Sequence, residues 1–165
     1  MVFRFMVPFT CKGGPMDQNK PEDLVMGHLV PAQILGYAGL VPFVLLAAAV
    51  IVSELVLLQE ILAVYSFGIF AFLTGSWWGI ALLRSEAPVL VLCNVMFLLA
   101  AALFVALAPR DWFIASSLLF VLLYAFELRL KVFQRQPDYY RRLRGRLTLV
   151  VSASLLLVGA FGRNF

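Results

Sequence analysis

Apolar residues occur in stretches long enough to cross a lipid bilayer, and this feature limits the possible folds most. Of 165 residues, 63% are hydrophobic and 13% are charged, and the mean hydropathy is +0.96. A soluble chain with a single ordinary core is far less apolar than this. A helix of about 20 residues rises about 30 Å, which matches the hydrocarbon core of a bilayer. The composition therefore predicts an all-α, polytopic transmembrane helix bundle.

The chain divides into a polar leader and a five-helix membrane domain. The leader, residues 1–31, is rich in Gly, Pro and charged residues and is predicted to be disordered. The membrane domain covers 32–165. Its last predicted helix has only 16 residues, which is short of a full crossing, so it must tilt little, thin the bilayer or let arginines snorkel. The predicted helices cover about 33–52, 61–83, 89–108, 112–130 and 147–162.

A proline inside the first helix predicts a bend. Pro42 lacks a backbone donor and its ring clashes with the preceding turn, so we expect a bend after Ala38 or Gly39. In lipid such a bend requires that a neighbouring helix cover the freed carbonyl group.

Small residues form a stripe on the second helix. Gly75 and Gly79 have the Gly-x-x-x-Gly spacing, by which membrane helices approach closely. At about 100° per residue, Gly68 and Ala71 lie on the same side. The stripe is predicted to pack against a matching face of helix 1, although glycine is also simply common in membrane helices. The residues predicted to form these helix contacts are Gly36, Gly39, Gly68, Ala71, Gly75 and Gly79.

Basic residues are concentrated on one side of the predicted topology. Eleven fall on the side of the N-terminus, seven of them within 129–146, and only Arg110 and Arg163 fall on the other side. Loops rich in Lys and Arg face the cytoplasm in membrane proteins. This distribution predicts a cytoplasmic N-terminus, a cytoplasmic 129–146 segment and an external C-terminus.

Three stretches carry a family resemblance: LGYAGLVPF (35–43), the run from Tyr65 to Gly79 that ends in Trp78-Gly79, and PDYYRRLRGRLTLVV (137–151). Together they resemble a bacterial family of small membrane proteins of unknown function, to which the animal mitochondrial transmembrane protein 69 is similar. The resemblance covers about 32–162. It implies a multi-pass protein of the bacterial cytoplasmic (inner) membrane, or of the mitochondrial inner membrane in a eukaryote, and it implies no catalytic residue.

Several polar and aromatic residues are predicted to lie at one depth near the cytoplasmic boundary, where they could line one ligand pocket. Glu127 could instead pair with Lys131 one helical turn later, Asn94 could form an interhelical hydrogen bond, and Trp78 could belong to an interfacial aromatic belt. Both interpretations stay open for these residues. The candidate pocket residues are Tyr37, Ser76, Trp78, Asn94 and Glu127.

The segment after Pro137 is predicted to be an amphipathic helix that lies on the membrane before the last crossing. Tyr140, Leu143 and Leu147 share one face. Basic residues near anionic lipid contribute about 1 kcal/mol each. We expect anionic lipid head groups or an acidic partner at Arg141, Arg142, Arg144 and Arg146.

The motifs of enzymes and of metal or nucleic-acid sites are missing from the sequence. The one histidine, His28, lies in the leader, and the two cysteines are far apart. No phosphate loop or paired carboxylates are present. We therefore expect no catalytic residue, no metal, no cofactor and no nucleic acid partner.

Two functions fit these observations. The first is a non-enzymatic accessory or assembly factor that acts through helix contacts, within a larger membrane complex or a homo-oligomer. The second is a small transporter or a lipid- or quinone-binding membrane protein that uses the predicted pocket.

Overall fold

Helices make up the bundle, and five of them are long and apolar enough to cross a membrane. A computed structural model describes the backbone of residues 21–53, 55–134 and 138–162, and side chains over 34–53, 55–133 and 139–162. The protein is thus a multi-pass membrane protein, as the sequence predicts. In chain order the elements are α1 (Pro21–Val52), α2 (Val56–Leu83), α3 (Ala87–Ala106), α4 (Pro109–Arg129), the short α5 (Lys131–Gln134) and α6 (Asp138–Phe161).

All five predicted helices begin earlier in the structure than the sequence predicts, α1 and α2 among them. Helix α1 begins at Pro21, so residues 21–31 of the predicted disordered leader are helical, whereas residues 1–20 lie outside the described residues. The polarity of a segment reports whether it lies in lipid, and polarity alone does not prevent a helix. Its apolar part, Ile34–Val52, matches the predicted crossing. Likewise α2 begins at Val56.

Residues 109–111, which the sequence leaves between two predicted helices, belong to the first turn of α4. Pro109 is the first residue of this helix, where its missing N–H would have no intrahelical partner in any case. Trp112 is buried and donates its Nε1–H to Ser66 Oγ at 3.0 Å. Its ring also packs edge-on against Phe104, with centroids 5.1 Å apart.

The fifth crossing and the basic residues from 138 onwards form one continuous helix, α6. The expected crossing, 147–162, is short, but the apolar span runs over Tyr139–Phe161, which is 23 residues. The arginines in its first turns do not interrupt the helix, because Arg144 is paired with Glu127 and the other three are exposed. The length shortage that the sequence predicts is therefore absent.

The bundle is organised around α2 and α4, which contact each other. Helix α3 packs against both, α1 packs against α2 and α6, and α6 packs against α4 and α1. Short α5 turns inward: Val132 and Phe133 are buried, and the Phe133 ring lies 4.7 Å from that of Trp77. Arg84, just after α2, donates a hydrogen bond to the carbonyl of Val132.

Among the described residues, helices α4 and α6 make the most extensive helix–helix contact. Small residues occur on α6 at intervals of seven, and each faces a residue of α4 seven positions from the last: Gly145 faces Tyr124, Ser152 faces Ser117, and Gly159 faces the carbonyl of Arg110. Seven residues advance about 700°, which returns to within 20° of the same direction. Ser117 Oγ donates to the Ser152 carbonyl at 3.0 Å, and Ser152 Oγ donates to the Ser117 carbonyl at 3.4 Å.

Candidate functional site

An open groove of about 360 Å³ lies between α1, α2 and α6, with Phe120 of α4 at its base. Its walls are mainly apolar, because α1 contributes two glycines and α2 and α6 contribute Leu, Ile, Phe and Val side chains. Among the described residues the lining is Leu35, Gly36, Gly39, Leu40, Phe43, Ile69, Phe72, Leu73, Ser76, Phe120, Tyr140, Leu143, Arg144, Leu147, Thr148 and Val151.

The groove has about the length of one bilayer leaflet. On α6 its lining residues run from Tyr140 to Val151, a rise of about 16 Å at 1.5 Å per residue. Half the hydrocarbon core is about 15 Å thick. On α6 the groove therefore covers about the first half of the apolar span Tyr139–Phe161.

The polar end of the groove contains an ion pair between α4 and α6. Arg144 Nε lies 3.1 Å from Glu127 Oε2, and the two side chains are 12% and 8% exposed. The predicted pairing of Glu127 with Lys131 is wrong, because α4 ends at Arg129 and Lys131 begins α5, so the two residues do not share a helix.

The charge balance of this pair determines which kind of polar group the end of the groove can accept. Because Glu127 and Arg144 cancel, the end of the groove carries polar hydrogen-bonding groups without net charge. A guanidinium has five N–H donors, and only the Nε–H of Arg144 is shown bonding to Glu127. The Tyr140 hydroxyl also belongs to this end.

The predicted pocket is divided by the structure. Ser76 lines the groove, donating its hydroxyl to the Leu73 carbonyl at 2.7 Å, and Glu127 reaches the groove through Arg144. Trp78 is 47% exposed on the outside of α2, while its neighbour Trp77 is buried.

Asn94 and Tyr37 also lie away from the groove. Asn94 is exposed and donates to the Leu90 carbonyl of its own helix at 2.7 Å, so the interhelical bond expected for it is not formed. Tyr37 is 44% exposed and lines a different hollow, beside Arg142 and Arg146.

The glycine stripe of α2 does not pack within the described chain, and the predicted contact with helix 1 is wrong. A Cβ atom built on Gly39, Gly68, Gly75 or Gly79 has no described neighbour within 4 Å. Ala71 is half-buried. The close approach of α4 to α6 and the large aromatic side chains between α2, α3 and α4 determine how the bundle packs.

Gly36 is the exception among the predicted contact glycines. A Cβ there would lie 3.1 Å from Leu147 Cδ1, so α1 approaches α6 closely at this point, instead of α2. Contact between α1 and α2 is made elsewhere: the Tyr65 hydroxyl donates to the Gly39 carbonyl at 2.9 Å. This bond covers a carbonyl in the turn preceding Pro42, next to the one that the proline leaves without a donor.

The four arginines at the start of α6 have different surroundings. Arg144 is half-buried in the pair with Glu127, whereas Arg141, Arg142 and Arg146 are exposed. Leu143 is buried and Leu147 is half-buried, so the predicted division into an apolar and a basic face is confirmed for these residues.

Sequence reasoning missed Tyr140, Thr148 and Phe120 as groove residues. Nothing in their spacing distinguishes them from ordinary helix residues, since they come together only through the contact between α4 and α6. The contact itself had a signal: Gly145, Ser152 and Gly159 are small residues at intervals of seven. Over 34–53, 55–133 and 139–162, no group of three His, Cys, Asp or Glu side chains is placed to hold a metal.

Comparison with known proteins supports the family-level resemblance. No curated protein and no solved structure matches this chain. One family model matches residues 30–160, which include all five crossings and the groove. On the strength of that match, the chain belongs to the family described as "Protein of unknown function (DUF3429)".

Proposed function

We propose that the protein binds an amphipathic lipid with an uncharged head group in the groove between α1, α2 and α6. One observation carries this proposal: an apolar groove of one leaflet's length ends at a charge-balanced Arg144–Glu127 pair. Binding sites for small molecules are typically apolar concavities with a few placed polar groups.

The chemistry of the two ends defines the ligand class. An alkyl or isoprenoid chain fits the apolar walls around Phe43, Phe72 and Val151. A carbonyl, ester or hydroxyl oxygen can accept a hydrogen bond from an Nη–H of Arg144 or from the Tyr140 hydroxyl. An anionic head group is disfavoured here, because the carboxylate of Glu127 already neutralises Arg144. Lipids with alcohol, ester or quinone-like head groups satisfy both ends.

We assign the groove a binding role and no catalytic step. Glu127, the acid at its end, is held by Arg144 in an ion pair, so its carboxylate is already engaged. Ser76 donates its hydroxyl to a backbone carbonyl of its own helix. Neither residue has the arrangement of an activated nucleophile or general base.

We also propose an orientation and a location. The end of the bundle that contains Arg84, Arg129, Lys131 and the start of α6 holds most of the basic residues. The positive-inside rule then places this end, and the groove that opens there, in the cytoplasmic leaflet of a bacterial inner membrane or the matrix leaflet of a mitochondrial inner membrane.

Filling the groove tests the proposal. Gly39 lines the groove, and a Cβ there meets nothing within 4 Å, so Gly39→Leu occupies binding space without displacing a neighbouring helix. Overfilling a site costs about 1–3 kcal/mol, so we expect retention of the bound lipid to fall by about 5- to 150-fold. The measurement is native mass spectrometry of the protein and its co-purified lipids in mild detergent.

Gly75→Leu is the matched control, because Gly75 is also without neighbours but lies outside the groove. We expect this variant to keep its lipid. Equal lipid retention by the wild type and Gly39→Leu, with both folded, would refute the proposed groove function.

A second function is favoured by the exposed stripe of α2. Gly68, Gly75 and Gly79 present a nearly bare helix face to the membrane. An accessory or assembly factor in a larger membrane complex, or a homo-oligomer, would use such a face for a partner helix. The same Gly75→Leu variant addresses this function: loss of co-purifying membrane proteins with the fold unchanged supports it, and an unchanged set of partners opposes it.

A further inference from the structure

A second concave site lies on the other side of the contact between α1 and α6. This head-group cleft measures about 330 Å³ and is lined by Tyr37 of α1 and by Tyr139, Arg142, Leu143 and Arg146 of α6. Leu143 lines both this cleft and the groove, so it forms part of the wall that separates them. The other four residues that line the cleft do not line the groove, so binding in the cleft does not rest on the groove function proposed above.

Two arginine side chains line the cleft, and no acid is among its described lining residues. Arg142 and Arg146 are one helical turn apart, which places their Cβ atoms about 5–6 Å from each other. Both side chains are exposed, and no acid among the residues described for this cleft neutralises them. This contrasts with Arg144, which is paired with Glu127.

The position of these arginines corresponds to the head-group region. Both belong to the apolar span Tyr139–Phe161, where an unpaired charge facing hydrocarbon is costly. Side chains of a helix lean towards its N-terminus, and the N-terminus of α6 is at the basic end of the bundle. The guanidinium groups can therefore reach the phosphate layer by snorkelling.

The cleft continues into an apolar hollow. A volume of about 500 Å³ shares Tyr37, Arg142 and Arg146 with the cleft and extends along Leu40, Gly145, Leu147, Leu149 and Val150. Leu149 is 70% exposed. A free phosphate ion would leave this apolar extension empty, whereas an acyl chain would fill it.

We propose that the head-group cleft binds a phospholipid whose head group is a terminal phosphate monoester. Such a phosphate carries close to two negative charges, which match the two guanidinium groups of Arg142 and Arg146. The hydroxyls of Tyr37 and Tyr139 are further donors at the rim. The acyl chain of the lipid lies along Leu40 and Leu147.

The test measures lipid binding to the full-length protein in nanodiscs of phosphatidylcholine with added phosphatidic acid. At about 1 kcal/mol for each basic residue, Arg142→Gln/Arg146→Gln should weaken binding of phosphatidic acid by about 30-fold. The control variant, Arg129→Gln/Lys131→Gln, removes two exposed charges from the same end of the bundle but not from the cleft. It should retain most of the affinity.

Three results would overturn the proposal. Equal losses in the two double variants would mean general attraction between charges, and unchanged binding in Arg142→Gln/Arg146→Gln would remove the site. Displacement of the lipid by soluble glycerol phosphate at similar concentration would mean that the cleft recognises free phosphate.

Preference for phosphatidic acid over the singly charged phosphatidylglycerol supports the phosphate monoester. Gly39→Leu should leave this binding intact, so the failure of one site is distinguishable from the failure of the other.

Discussion

Replacing Gly159 with alanine tests whether the contact between α4 and α6 holds the bundle together. A Cβ atom at this position would lie 2.9 Å from Ile114 Cγ1 and 3.4 Å from the Arg110 carbonyl oxygen. The first distance is well below van der Waals contact, so something must shift, and the second is an ordinary contact with backbone that leaves the Cβ no room on that side. The Arg110 side chain further ties the helices, since its Nε–H donates to the Gly159 carbonyl at 3.2 Å.

Gly75→Ala is the reference for this experiment. Both substitutions replace glycine by alanine inside a helix, so the gain in helix propensity is common to the two variants. A Cβ at Gly75 has no described neighbour within 4 Å. The difference between the variants therefore isolates the cost of overpacking, which is about 1–3 kcal/mol.

The assay is thermal unfolding in a mild detergent, followed by circular dichroism. For a chain of this size about 1 kcal/mol shifts the melting temperature by about 2–4 °C, so Gly159→Ala should melt about 2–12 °C below Gly75→Ala. Equal melting temperatures would refute the argument, because α4 and α6 would then not approach as closely as described.

Two further predictions concern the ion pair and the topology. Glu127→Ala should destabilise the protein by about 3–5 kcal/mol, because it leaves the half-buried Arg144 without a counter-charge. Adding Arg144→Met should recover much of that loss in the same melting assay. A single variant as stable as the double variant would contradict this. Reporter fusions inserted after residue 136 and at the C-terminus should report opposite sides of the membrane, with residue 136 cytoplasmic. Both reporters on one side would contradict the fifth crossing.

The site shows where reasoning from the sequence reaches its limit. The sequence predicts that Glu127 either lines a pocket or pairs with a residue four positions along the same helix, whereas its partner lies on another helix, at Arg144. Trp77 and Trp78 are adjacent and chemically identical, yet one is buried against Phe133 and the other is exposed. A helix that is apolar all round has no hydrophobic face that predicts its orientation.

The glycines show the same limit more sharply. Gly75 and Gly79 have the spacing of a close helix contact, yet a Cβ built on either meets no described atom within 4 Å. Gly145 and Gly159, with Ser152 between them, form the actual contact with α4. Glycine permits close approach in lipid without requiring it. The choice depends on the shape of the facing helix, which spacing within one helix does not specify.

The sequence by itself determined the solvent, the all-helical class and the number of crossings. These follow from apolar length alone, since every backbone group in hydrocarbon must find its hydrogen bond within the same helix. Only the tertiary structure decided which faces meet, and hence that Arg144 joins Glu127 at the end of a groove while Arg142 and Arg146 line a separate cleft. Lipid is as apolar as the helix surfaces, so burial gives no preference among them, and the fit of side chains decides.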